Sequence, residues 1–225
     1  MDHFFGPEDT KRARFDKSSK FQCWMTSEKS GVFLLVGYSE YGIVTHQNYC
    51  WTSPIAIDLI QGQQASKSPH AYALLPSKGS ANMRKIILSL LSQLLSFQTE
   101  KLREEDVSRE LELLYSEVVK SSKDWELDAS LEKLSQFVLG LIPVSQTVHI
   151  IVDRLDRLDP CEADDRIAFL RILAQAAQTT ECVVKVFVVI SGSDWIFQPS
   201  DLREFGEFIV IHKERQERLS DQDDY

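Results

Sequence analysis

The chain has 225 residues, of which 43% are hydrophobic, and it carries a formal net charge of −9. This length fits one large domain, and the hydrophobic content is enough for a substantial core, which excludes wholesale disorder. The negative charge disfavours a nucleic-acid partner. No apolar run approaches the roughly 20 residues of a membrane span, and the amino terminus lacks the pattern of a signal peptide. We therefore expect a cytoplasmic protein that binds neither nucleic acid nor membrane.

The acidic residues are concentrated in one segment, and the cysteines are dispersed. Residues 100–128 carry ten acidic and five basic side chains. The four cysteines, Cys23, Cys50, Cys161 and Cys182, form no C-x-x-C pair. We expect buried, reduced thiols at these positions rather than a zinc site.

Alternating patterns along the chain predict the secondary structure. Residues 1–20 are polar and partly basic, which predicts a solvated linker or amino-terminal arm. Apolar, β-branched runs predict strands over residues 32–36, 70–75, 147–152, 183–190 and 208–211. Helical spacing predicts helices over residues 80–95, 102–119, 131–141 and 167–177. A further helix is expected at Thr52-Ser53-Pro54, with Ser53 as the cap. The alternation predicts an α/β fold with a mainly parallel sheet and helices on both faces.

Two glycines after the first predicted strand have the spacing of a phosphate-binding loop. Gly37 and Gly42 match the glycines of G-x-x-x-x-G-K-[ST]. The lysine and the hydroxyl residue of that motif are here Ile43 and Val44, and Glu40 adds a negative charge. A plain strand-to-helix turn with two glycines remains the alternative interpretation.

An acidic segment follows the third predicted strand. Asp153 comes directly after Val148, Ile150, Ile151 and Val152 in the sequence. An apolar strand that ends in aspartate is the Walker B pattern, in which the carboxylate holds Mg²⁺ directly or through water. The alternative is a core strand followed by a charged loop.

The order of these motifs resembles the NACHT-like nucleotide-binding module of fungal STAND proteins, the nephrocystin-type N-terminal NTPase domain. The resemblance runs over roughly residues 15–212. Its motifs are Phe21-Gln-Cys-Trp24, Leu90-Leu-Ser-Gln-Leu-Leu95, Asp153-Arg-Leu-Asp156-Arg157 and Ile190-Ser191-Gly192. It implies a three-layer P-loop NTPase-like fold, with residues 1–20 as the arm, 21–212 as the domain and 213–225 as a charged tail.

The resemblance also implies a set of site residues. Gly37, Gly42, Asp153 and Asp156 would form the nucleotide site, and Asp153 would hold Mg²⁺ if a nucleotide binds. The glutamate that closes the family's Walker B motif is here Arg157, and its sensor arginine is Gly192. Together with the losses at Ile43 and Val44, these departures predict a degenerate module without hydrolysis, catalytic residues or a required cofactor.

We expect such a module to act as an interaction or regulatory domain with a protein partner. The main alternative is a STAND NTPase that binds ATP or GTP with Mg²⁺ through an unorthodox phosphate loop. A third interpretation is a gene fragment without a selected activity, and residues 38–53 could also be an artefact of the gene model.

Overall fold

The computed structural model describes residues 7–37, 52–76, 82–121, 124–158, 163–192, 195 and 199–213. These residues form seven α-helices and five β-strands. The helices are α1 (Pro7–Asp16), α2 (Ser19–Thr26), α3 (Ser53–Ser66), α4 (Met83–Leu95), α5 (Glu105–Lys120), α6 (Asp124–Gly140) and α7 (Ala163–Thr179). The strands are β1 (Gly31–Gly37), β2 (His70–Leu74), β3 (Thr147–Asp153), β4 (Val183–Ser191) and β5 (Ile209–Lys213).

The five strands form one parallel sheet in the order β2-β3-β4-β1-β5. Parallel neighbours need crossover connections, and the helices between the strands provide them. The apolar run of β1 is buried along its whole length, as is almost all of β4. Strands buried on both faces need helices on both sides of the sheet. The predicted α/β class with a parallel sheet is confirmed.

Two hydrophobic cores lie on the opposite faces of this sheet. On one face, side chains of α4, α6 and α7 pack against the valines and isoleucines of β1, β3 and β4. On the other face, α2 and α3 pack against Phe33, Leu35, Phe187 and Val189. Successive side chains of a strand point to opposite faces, so each strand supplies both cores. The result is the expected three-layer arrangement.

The segment predicted as a solvated linker instead contains helix α1 and the start of α2. Phe15 is only 2% exposed, and its ring centroid lies 4.6 Å from that of Phe21 and 6.1 Å from that of Phe33. The prediction for residues 1–20 is therefore wrong over residues 7–20. The many basic residues made this segment look solvated, although Phe15 packs against the sheet face that carries Phe33.

Smaller corrections concern helix ends and thiols. Thr52 occupies the N-cap position of α3 without a capping hydrogen bond from its side chain. Ser53 is therefore the first residue of the helix rather than its cap, and Pro54 lies in the first turn. Cys182 is buried as expected, but Cys23 is exposed. Within the described part of the chain, no helix is long and apolar enough to cross a membrane.

Candidate functional site

The candidate site lies at the carboxyl edge of the sheet, where Gly37 ends β1, Asp153 ends β3 and Ser191 ends β4. Ligands of open parallel α/β sheets bind outside the carboxyl ends of the strands. Three of the four predicted site residues, Gly37, Asp153 and Asp156, are at this edge. Gly42 falls outside the described residues.

Gly37 is in close contact with the start of helix α3. A Cβ atom at this position would lie 2.6 Å from Cγ2 and 3.0 Å from Oγ1 of Thr52, which is fully buried. The carbonyl oxygen of Gly37 also accepts the backbone N–H of Gly192, at 2.6 Å. Glycine is required here because the helix start lies directly against the end of β1.

Asp153 faces the next residue of the same helix start. The side chain of Ser53 lies close enough to this carboxylate for a hydrogen-bond interaction. Oδ1 of Asp153 is buried and has no hydrogen-bond partner among the described residues. Burial raises the pKa of Asp153, although the bond from Ser53 and the charges of Arg154 and Arg157 act in the opposite direction. A desolvated carboxylate with a free oxygen is a group that a cation or a proton would stabilise.

Asp156 is in a different electrostatic environment, because its side chain forms an ion pair inside the protein. Nη2 of Arg154 lies 2.7 Å from Oδ2, and Nε lies 3.1 Å from both oxygens. The backbone N–H of Ser191 donates to Oδ1 at 2.8 Å. The side chains of Arg154 and Asp156 are 2% and 0% exposed, respectively. A neighbouring arginine and a backbone amide thus satisfy the carboxylate of Asp156.

Arg154, one partner of this ion pair, has an uncommon backbone conformation. Its φ is 63° and its ψ is 50°, in the left-handed region, immediately before a 3₁₀ turn over Leu155–Arg157. This region is costly for residues other than glycine, so other interactions must maintain it. The buried ion pair supplies such an interaction.

Two positions at which the resemblance leads one to expect catalytic groups take other roles. Nη1 of Arg157 lies 3.4 Å from the carbonyl oxygen of Leu75 and contacts the end of β2. Gly192 bonds through its backbone to Gly37, as described above. Arg157 therefore has no carboxylate where the family motif has a glutamate, and Gly192 has no guanidinium where the motif has an arginine.

The residue that sequence reasoning missed is Ser53. The predicted motif assigned the Mg²⁺-binding hydroxyl to Val44, which falls outside the described residues. The structure brings the Ser53 hydroxyl to Asp153 instead. The signal was available, because Thr52-Ser53-Pro54 had been predicted as a helix start, and the start of the helix after β1 lies at the ligand-binding edge of such a sheet.

A hydroxyl and a carboxylate are both oxygen ligands of the kind that Mg²⁺ prefers. Ser53 and Asp153 could therefore supply two ligands, with water or phosphate completing the set. Among the described residues, no group of three or more His, Cys, Asp or Glu side chains could hold a metal ion. The pair fits a cation shared with an anionic ligand better than a metal site made of protein alone.

No protein-family model matches this chain, and no curated protein sequence matches it.

Proposed function

We propose that this chain is a P-loop NTPase-like scaffold that does not hydrolyse nucleotide and acts as an interaction or regulatory module. The single observation that carries the proposal is that the carboxylate of Asp156 is already bound by groups of the protein. Its carboxylate accepts hydrogen bonds from Arg154 and Ser191 and is fully buried. A carboxylate held in this way is not available to orient a water molecule or to share a metal ion.

The electrostatics of the same edge support this proposal. Arg157 stands where the family motif has its glutamate, so a positive charge replaces the group that would activate water. Each such electrostatic element typically contributes a few kcal/mol of transition-state stabilisation. Steady phosphate release above a heat-denatured control, abolished by Asp153→Asn, would contradict the absence of hydrolysis.

A second candidate function is nucleotide binding through an unorthodox loop, and the contact between Ser53 and Asp153 favours it. In this case the two side chains would hold Mg²⁺, which neutralises phosphate charge when bound. Titration calorimetry with Mg·ATP and Mg·GTP separates the candidates. The first predicts no binding. The second predicts binding that Ser53→Ala and Asp153→Asn weaken, and that Ser66→Ala at the other end of α3 leaves unchanged.

An interaction module needs a surface for its partner, and the clearest apolar surface is a groove between α4, α5 and α6. The groove has a volume of about 330 Å³ and is lined mainly by leucines, together with Tyr115 and Val138. Val118 is the one buried side chain of α5. On the same helix, Leu113, Tyr115 and Val119 are 60%, 51% and 54% exposed. Helix α5 therefore exposes several large apolar side chains, of which Tyr115 lines the groove.

Charge indicates the kind of partner that fits this groove. Helix α5 carries five acidic and two basic side chains, and Glu112 lies at the edge of the groove. An apolar groove with an acidic rim fits a basic amphipathic helix, whose apolar side chains enter the groove while its lysines or arginines face the acids. We commit to this occupant rather than to a second copy, because two acidic α5 helices would repel each other.

Fluorescence anisotropy with a labelled Leu/Lys amphipathic peptide tests this surface. The Leu/Lys peptide should bind, and a Leu/Glu peptide of the same apolar spacing should not. The double variant Leu88→Ser/Tyr115→Ser, at two lining residues, should weaken binding. Val144→Ser, at a residue that is 59% exposed outside the groove, should not. Equal binding of both peptides, or no effect of the double variant, would remove the groove from the proposal.

A further inference from the structure

A second cavity lies at the opposite edge of the sheet, at the amino-terminal ends of β1, β4 and β5. Its volume is about 540 Å³, and its walls come from α2, the turn before β1, Lys185 of β4 and residues 207–210. The carboxyl edge with Asp153 is at the other end of the strands. This cavity is therefore separate from the candidate nucleotide site, and its function can be tested independently.

Lys185 is the unusual residue of this cavity, because it is a buried cation without an anionic partner. Its side chain lines the cavity although the residue is only 2% exposed. Nζ donates to the carbonyl oxygen of Trp24 at 2.7 Å and lies 5.7 Å from the centroid of the Trp24 ring. No carboxylate among the described residues forms an ion pair with it. Buried lysines are rare unless they are paired.

The bond to Trp24 explains part of this arrangement. Trp24 lies near the carboxyl end of α2, where carbonyl groups lack partners within the helix and a positive charge is favourable. An ammonium group has three protons to donate, however, and one neutral carbonyl uses only one of them. Burial lowers the pKa of Lys185, which is the expected result for a charge that is desolvated without compensation.

Most of the charged side chains around Lys185 are positive. Lys20 and Lys29 also line the cavity, and Glu207 is the one acidic side chain in its described lining. His149 is in register with Lys185 on the neighbouring strand, and the positive charge of Lys185 is one of the causes that lower its pKa. The cavity is lined by three lysines and one glutamate, so its electrostatic potential is positive although the whole chain has a net charge of −9.

The walls also have an apolar part. Trp24, Phe208 and Val210 line the cavity beside the lysines. Small-molecule sites are commonly concave, with apolar walls and a few polar groups that orient the ligand. From the cavity, the buried ammonium and the apolar wall, we propose that this pocket binds a small amphipathic anion, a carboxylate or phosphate group on an aromatic or apolar body. The anionic group pairs with Lys185, and the body lies against the wall.

Titration calorimetry with phenyl phosphate, benzoate, inorganic phosphate and benzyl alcohol tests this proposal. The two amphipathic anions should bind at least about tenfold more tightly than the alcohol, which lacks the charge, and than inorganic phosphate, which lacks the apolar body. The stronger of the two identifies the anionic group. Failure of both anions to bind more tightly than benzyl alcohol would overturn the proposal.

Variants locate the binding. Lys185→Met should weaken binding of the preferred anion about tenfold or more, and Lys133→Met, on the exposed surface of α6, should not change it. Glu207→Gln should strengthen binding because it removes the one acidic side chain of the described lining. If Lys185→Met does not fold, the affinities of the double variant Lys20→Met/Lys29→Met and of Glu207→Gln show whether the anion binds in this cavity. Unchanged affinity in both of these variants, or in a folded Lys185→Met variant, would overturn the assignment to this cavity. The presence or absence of nucleotide binding at the carboxyl edge of the sheet does not bear on this assignment.

Discussion

Oδ1 of Asp156 lies 2.8 Å from the backbone nitrogen of Ser191 and accepts its hydrogen. This bond joins the turn after β3 to the end of β4. Because Asp156 is also paired with Arg154, one carboxylate holds two strand ends and the left-handed backbone of the turn together. We therefore regard Asp156 as a structural residue.

Removal of this carboxylate should destabilise the fold strongly. Asp156→Ala leaves the guanidinium of Arg154 buried without a counter-charge, and breaking one side of a buried ion pair typically costs about 3–5 kcal/mol. Urea unfolding of Asp156→Ala, Arg154→Met and the double variant forms a double-mutant cycle. The double variant should be more stable than the sum of the single losses predicts, with a coupling of about 0.5–3 kcal/mol. Additive losses would show that the pair has no energetic role.

Asp153→Asn, in contrast to Asp156→Ala, should increase the stability of the fold at neutral pH. Burial raises the pKa of Asp153 above its ordinary value of 3.8, so the folded state carries a penalty for the ionised form at neutral pH. Asparagine removes that charge and can still accept the hydrogen bond from Ser53. We expect a higher melting temperature at pH 7 without ligand. The gain should shrink as the pH falls through the folded pKa towards 3.8, because the wild-type carboxyl is then protonated. Exposed Asp16→Asn is the control, and a lower melting temperature for Asp153→Asn would contradict this account.

Gly37→Ala tests the contact between β1 and the start of α3. The added methyl would lie 2.6 Å from Cγ2 of Thr52. Overpacking of this kind costs about 1–3 kcal/mol. The matched control is Gly62→Ala, where a Cβ would meet no atom within 4 Å, and which should stabilise α3 by about 0.5–1 kcal/mol. Gly37→Ala/Thr52→Ser should recover part of the loss, because Cγ2 is removed. Equal effects of the two alanine variants would be inconsistent with a tight contact at Gly37.

His149 should make stability depend on pH. It lies between His70 and Lys185 on neighbouring strands. Burial, followed by the charges of Lys185 and His70, lowers its pKa from 6.5 to about 4. As the pH falls from about 6.5 to about 4, the unfolded state takes up the proton before the folded state does. The free energy of unfolding should therefore fall in this range.

The variant His149→Gln isolates this contribution. Urea unfolding at about pH 7 and pH 5 should show a smaller loss of stability for the variant than for the wild type, because glutamine does not titrate. Above about pH 7, the free energy of unfolding should change with pH in the same way for both proteins, because His149 is unprotonated in the folded and the unfolded state. An equal loss in both proteins would assign the acid sensitivity to other groups.

The architecture was largely predictable because its signal is local. The run 32–36 is continuously apolar, and the runs 147–152 and 183–190 are mostly apolar, with Thr147, His149 and Lys185 as the exceptions. Such runs indicate strands buried on both faces. The observed strands extend each run by only one or two residues. Helix α1 was not predicted, because its burial depends on Phe15 and on an aromatic sheet face that only the fold assembles. One apolar residue among basic neighbours gives no helical stripe.

The candidate site was predicted less well, for a physical reason. Motif spacing identifies Gly37 and Asp153 on separate strands but does not show which side chain of α3 comes close to Asp153. The Ser53 hydroxyl and Asp153 are 100 residues apart in sequence and meet only through the fold. The partners of Asp156 were more accessible to prediction, because Arg154 is two residues away. Local pairs can be inferred from sequence, whereas contacts between the ends of distant elements require the topology.

The strand order also has a consequence for synthesis of the protein. β1 is one of the first elements to leave the ribosome, but its two neighbours in the sheet are β4 and β5. Gly31 pairs with Lys185, so 154 further residues must be added before the first of these pairings can form. At typical rates of about 5–20 residues per second, this takes roughly 8–30 s. During this time the nascent segment 31–37 exposes apolar side chains and unpaired backbone groups, so a chaperone that binds such segments would compete with folding here.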